Sequence, residues 1–218
     1  MNQNLKPALA ELIGTFTLVF IGAGAGALAD KGSAGLIAVA LAHGIALIII
    51  VYAWGAISGA HVNPAVTFGL ALAGKIDWVK AVWYWVAQFV GAAIAAYLLL
   101  YLVGKDSGLG ATTGSLTKAD AVKTIVVEAV LTFFLVTAVF GSAVSGRNGN
   151  AAGIAIGLVL TMDIFMGGAL TGASMNPART FGPALATADF SYLWMYFVGP
   201  LLGAAAAALV YDRVFLKS

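Results

Sequence analysis

Two Asn-Pro-Ala triplets interrupt otherwise apolar sequence: Asn63-Pro64-Ala65 and Asn176-Pro177-Ala178. Each belongs to a longer stretch, SGAHVNPAVTFGLAL from Ser58 and TGASMNPARTFGPAL from Thr171. Asn is a favoured helix N-cap, and Pro suits the first helical position, where its missing N–H costs nothing. Both triplets therefore predict a helix start, one helix running to about Leu72 and the other to about Leu185. At about ten residues, or roughly 15 Å, each would cross half of a ~30 Å hydrocarbon core. Helix N-termini carry partial positive charge. Two such ends meeting with Asn amides between them would donate hydrogen bonds to a neutral polar solute, repel cations and disfavour a proton wire. Arg179, directly after the second triplet, adds a fixed cation with several donors.

Other polar residues in apolar surroundings support this centre. Glu11 and Glu128 would be buried carboxylates, each accepting N–H bonds from a re-entrant loop; the rival role for an intramembrane acid is a proton relay. His61, two residues before Asn63, reads as a brace for its loop. The segments Gly59–Val62 and Gly172–Met175 would offer a ladder of carbonyl acceptors. Asp163 would cap loop backbone or pair with a neighbouring group. Nothing reads as catalytic: Ser58, Ser174 and His61 lack both a nucleophile motif and a base placed by spacing. With no cysteine and two histidines in the chain, no metal site or cofactor is expected. A net charge of +2 gives no reason to expect nucleic acid.

The elements that position these residues follow from composition. Hydrophobic residues make up 61% of the 218 and charged residues 9%, against roughly 25% charge in soluble domains, and mean hydropathy is +0.99. This is the composition of an integral membrane protein. Apolar runs lie near Pro7–Ala29, Gly35–Ile57, Trp78–Val103, Ala121–Val144, Ala151–Leu170 and Tyr192–Phe215, each long enough for the ~20 residues that span a bilayer. The first reads as a retained span, not a signal peptide. The 27 glycines suit close helix packing, with pairs such as Gly22/Gly26, Gly153/Gly157 and Gly199/Gly203. Trp78, Trp83, Trp85, Tyr192 and Trp194 sit at span ends, as an aromatic belt would.

The two long stretches begin 113 residues apart, and a second echo precedes each: Glu11-x-x-x-Thr15-Phe16 returns as Glu128-x-x-x-Thr132-Phe133. The chain is thus one channel domain, 1–218, made of two halves, 1–106 and 119–218, joined near Gly104–Lys118. Three spans per half is an odd number, so the halves are inverted. The fold class expected is an all-α membrane protein with six transmembrane helices and two re-entrant half-helices that form a broken seventh span. Lys6, Lys75, Lys80, Arg147, Arg213 and Lys217 would share the side of the termini, and Lys31, Lys105, Lys118 and Lys123 the other. The positive-inside rule then places both termini in the cytoplasm.

The paired boxes, the Arg after the second and the two Glu-containing spans resemble the major intrinsic proteins, the aquaporin family, over the whole chain. The resemblance implies a passive channel for water and small neutral solutes, excluding protons and ions and assembled as a homotetramer, while the short chain suits a plasma-membrane protein. It implies a narrowest ring at His43, Ile164, Ala173 and Arg179, set by spacing from the two Asn residues. Thr180 and Ala184 look like the water type, and His-Ile-Ala-Arg looks like the plant vacuolar branch, which also moves ammonia, urea or hydrogen peroxide. The loop between halves lacks a His that some of that branch use, and the short ends suit a prokaryotic member. A glycerol-type facilitator, or a structural protein with a closed pore, is the alternative. An ion channel would want acidic rings or a carbonyl filter.

Overall fold

A computed structural model of the protein describes residues 3–29 and 35–216. Lys31 and Lys217, invoked above for orientation, lie outside the described residues. Six helices are long and apolar enough to cross a membrane: α1 (Leu5–Ala29), α2 (Leu36–Ser58), α4 (Trp78–Val103), α5 (Ala121–Val144), α6 (Gly149–Thr171) and α8 (Met195–Leu216). Between them lie two short helices, α3 (Pro64–Leu72) and α7 (Pro177–Thr187). Among the described residues there is no strand. The protein is an all-helical, multi-pass membrane protein built as the sequence predicts.

The short helices start where local chemistry dictates. Asn63 is extended, at φ −154° and ψ 120°, and its side chain accepts from Ala65 N at 2.8 Å. Asn176 is likewise extended and accepts from Ala178 N at 3.0 Å and Arg179 N at 3.2 Å. In both, Pro fills the first helical position. Upstream, Gly59 (φ +88°) and Gly172 (φ +84°) end α2 and α6 in the left-handed region, which glycine enters without a Cβ clash. The α7 helix runs two residues beyond the expected Leu185.

Packing between the helices, across the halves and within each, is close enough to require small residues. A Cβ on Gly44 of α2 would overlap Thr161 and the Gly157 carbonyl of α6, and one on Gly157 would overlap the Gly44 carbonyl. The α1–α4 contact repeats this with Gly91 against the Leu12 carbonyl, and the α5–α8 contact with Gly203 against the Ala129 carbonyl. Membrane helices lack a hydrophobic drive toward one another, so this backbone proximity carries the association.

One expectation is corrected. Trp85 is half-buried, and its indole N–H donates to the Pro64 carbonyl at 3.1 Å; it packs between helices and is not part of a belt. Trp78 and Trp194, exposed by 50% and 53%, do stand at rims. The segment that joins the halves makes backbone bonds to the fold. Ser115 N and Leu116 N donate to the Ala169 and Leu170 carbonyls at 3.0 and 2.9 Å, tying it to the end of α6.

Candidate functional site

The centre of the molecule is where the first residues of α3 and α7 meet. Asn63 Nδ2 donates to the Met175 carbonyl at 2.8 Å, and Asn176 Nδ2 donates to the Val62 carbonyl at 2.9 Å. Each amide therefore uses one N–H on the opposite loop and keeps its second for the lumen. Val62 and Met175 hold positive φ, +43° and +53°. That conformation is costly for residues with side chains, so other contacts must hold the loops.

Those contacts centre on the two carboxylates. Glu11 accepts from Ser58 Oγ at 2.7 Å, His61 N at 2.9 Å, Val62 N at 2.6 Å and Gln88 Nε2 at 2.8 Å. Glu128 accepts from Thr171 Oγ1 at 2.7 Å, Ser174 N at 3.0 Å and Met175 N at 2.7 Å. Both side chains are fully buried. The halves differ in one donor: Gln88 follows Tyr84 by four residues, and the residue in the same relation to Tyr196 is Pro200. His61 joins the scaffold through Nδ1, 3.1 Å from Thr67 Oγ1, and its ring stands edge-on to Tyr84 at 5.1 Å.

Two tyrosines, unremarked as site residues in the sequence, complete the frame. Tyr84 donates to the Ser58 carbonyl at 2.7 Å and Tyr196 to the Thr171 carbonyl at 2.6 Å. They stand 112 residues apart, in Tyr84-x-Val86…Gly91-Ala92-Ala93 and Tyr196-x-Val198…Gly203-Ala204-Ala205, a third echo of the duplication.

A narrow cavity runs past this centre. It offers about 50 Å³ to the centres of water molecules; one water needs roughly 10–15 Å³ of such space, so a short single file fits. Leu47, Val51, Val139, Ile156 and Leu160 make an apolar wall, and His43, His61, Asn63, Ser174, Asn176 and Arg179 supply the polar groups.

His43 and Arg179 come together. Arg179 Nε lies 3.4 Å from His43 Nε2, and Nη1 donates to the Gly110 carbonyl at 2.6 Å. His43 Nδ1 lies 2.9 Å from the Val39 carbonyl. A carbonyl only accepts, so Nδ1 carries a proton and Nε2 is free to receive Arg179. Behind the imidazole, Gly22 makes room, since a Cβ there would overlap the ring. Gly22 belongs to a π-turn in α1, Val19–Ala23. Gly110 has φ +63°, and a Cβ on it would overlap the Ala23 carbonyl. Sequence spacing marks Gly22 only as a close-packing partner of Gly26 and carries no signal for Gly110, because both act through contacts across the fold. Thr112 donates to Thr180 at 2.8 Å, and Thr180 and Ser174 share a bond at 2.5 Å.

Ile164 and Ala173 are buried but do not line this cavity. Asp163, 1% exposed, caps no loop: neither carboxylate oxygen has a hydrogen-bond partner among the described residues. The carbonyls of Val62 and Met175 bond to the Asn amides, so of the expected ladder these two rungs are taken. Among the described residues no cluster of His, Cys, Asp and Glu could hold a metal ion.

Comparison with known proteins agrees with this geometry. The family model described as "Major intrinsic protein" matches residues 1–211. Aquaporin TIP2-1 of Arabidopsis thaliana is 42% identical over 226 residues, covering 99% of this chain and 89% of the relative. Aquaporin TIP1-2 of Zea mays is 47% identical over 221 residues, covering 97% and 86%. The X-ray structure of the aquaglyceroporin from Plasmodium falciparum superposes with a TM-score of 0.85 over 98% of both chains, at 24% identity, and so shares the fold. With the family matched nearly end to end, the chain belongs to the major intrinsic proteins, the aquaporin family of passive channels for water and small solutes, which are not enzymes.

Proposed function

We propose that this channel carries water together with small neutral solutes, including ammonia, urea and hydrogen peroxide, and turns back protons and ions. One observation carries the reading: the narrow lumen is flanked at its middle by two Asn amides whose free N–H groups can only donate. The positive ends of α3 and α7 stand behind them. A water accepting from both points its own hydrogens away from the centre, which interrupts the hydrogen-bond chain a proton would follow. A cation meets the same field with the wrong sign, and Arg179 adds to it.

His43 and Arg179 form the selective constriction in this reading, supported by the approach of Arg179 to His43 and the anchoring of the guanidinium by Gly110; Ile164 and Ala173, both buried, are assigned to it by their spacing from Asn176 alone. Glu11, Glu128 and His61 hold the loops, supported by the bonds they accept and make. The chain reads as repeats 1–106 and 119–218, supported by matched Glu, Tyr and Asn contacts in each. It assembles as a homotetramer in the plasma membrane with both termini in the cytoplasm, the orientation favoured by its Lys and Arg.

Stopped-flow light scattering on proteoliposomes tests the function. An osmotic step with sucrose should drive fast shrinkage with a low activation energy, and urea and ammonium gradients should collapse faster than in empty vesicles, while a proton gradient should not. A proton leak as fast as water flow, or shrinkage no faster than in empty vesicles with folded protein present, would overturn it.

A further inference from the structure

A second cavity, of about 340 Å³, opens on the outside of the bundle, away from the lumen. Its back is formed by Pro64 and Pro177, the first residues of the two half-helices. Its sides are Phe68 of α3, Trp85 and Phe89 of α4, and Phe197 and Leu201 of α8. No polar atom faces into it. The one polar side-chain group among these residues, the Trp85 indole N–H, is already bonded to the Pro64 carbonyl.

The depth of this groove is fixed by its prolines. Asn63 and Asn176 bond to each other's loops, so Pro64 and Pro177 lie level with the junction of the half-helices, at mid-membrane. Its surroundings have the pattern of a lipid-facing wall. Val86 and Val90 on α4, and Val198 and Leu202 on α8, flank it with exposed apolar surface. Trp78, half exposed at the start of α4, touches the groove residues Phe68 and Trp85 with ring centroids 6.2 and 6.3 Å apart. Trp194, also half exposed, immediately precedes α8 at the opposite rim. Exposed Trp at both rims of an apolar face is the arrangement that meets lipid headgroups, and between the rims hydrocarbon is the solvent.

We propose that this groove is a binding site for the end of one acyl chain of a bilayer lipid, which packs against Pro64 and Pro177 and braces the junction of the half-helices from behind. Phe89 and Phe197, whose rings lie nearly parallel at 5.9 Å, make the apolar surface the chain lies on.

Photolabelling tests the site. The protein is reconstituted with phosphatidylcholine carrying a diazirine either at the terminal carbon of one chain or beside its ester. The terminal probe should form adducts on Phe89, Phe197 and Leu201, and the ester-side probe should not. In Leu201→Trp, which fills the groove, adducts on Phe89 should be lost while osmotic water flow shows that the variant is folded. Equal labelling by both probes, or no labelling by either, would overturn the proposal. So would disulfide-linked dimers of Leu201→Cys in the membrane, since the chain has no other cysteine and such dimers would mean that a second copy covers the groove. If Leu201→Trp does not fold, the contrast between the two probes in the unaltered protein still decides.

Discussion

Asn63 and Met175, 112 residues apart in sequence, are joined by a 2.8 Å hydrogen bond from the side-chain amide to the carbonyl, and Asn176 returns the same bond to Val62 at 2.9 Å. The two re-entrant loops therefore complete each other, while each Asn also caps its own helix.

Asn63→Ala removes both roles. Loss of an N-cap costs about 1 kcal/mol, and a buried carbonyl left unpaired costs about 1–3 kcal/mol. We expect a clear fall in thermal stability in detergent and a loss of water flow. Asn176→Asp keeps the cap but puts acceptor oxygens where a donor stood, so cation and proton leak should rise in vesicles loaded with a pH dye.

Arg179 is held by two groups at once, His43 and the Gly110 carbonyl. Arg179→Val should admit more protons or cations without abolishing water flow. Arg179→Lys keeps the charge but lacks the planar fork, so it should restore the barrier only in part. An unchanged leak in the Val variant would remove Arg179 from the barrier.

The space behind His43 is made by Gly22, which a Cβ would fill with the imidazole still in place. Gly22→Ala should push the ring into the lumen and slow both water and urea. Adding His43→Ala should relieve the clash and restore flow. Separately, His43→Phe should favour water over the larger solutes. All three are read from relative permeabilities in the same vesicles.

Gly110 combines a left-handed φ of +63° with close approach to the Ala23 carbonyl. Gly110→Ala should displace the segment that anchors Arg179 and broaden solute selection while leaving α3 and α7 intact. Helical circular dichroism should stay constant as the ratio of urea to water permeability rises.

Glu11 accepts four donors and Glu128 three. Replacing either with Ala strands two buried backbone N–H groups, at about 1–3 kcal/mol each, and both variants should lose folded yield in membranes. Gln88→Leu removes only the extra donor to Glu11 and should be tolerated much better.

What could be read from the sequence was whatever acts locally or repeats. Asn-Pro at a helix start is a signal confined to adjacent residues, and it marked both half-helices. The duplication exposed Glu11 with Glu128, and the same logic reaches Tyr84 with Tyr196. Gly110 carries no such signal and Gly22 shows only its pairing with Gly26, because what makes them necessary is a carbonyl or a ring brought close by another part of the chain. Trp85 looked like a rim residue because its position along the helix said nothing of the Pro64 carbonyl beside it. Ile164 and Ala173 fall at the expected spacing, yet neither lines the cavity that His43 and Arg179 border.

The reciprocal bonds between the two loops also impose an order on biosynthesis. A ribosome makes the first half well before Met175 exists. Until the second loop emerges and turns back into the bilayer, the Asn63 amide has no carbonyl to receive its N–H, and Val62 holds a carbonyl with no donor. The nascent first half must wait in an unfinished state, and the second loop, on entering, closes a lock whose two keys were made at different times.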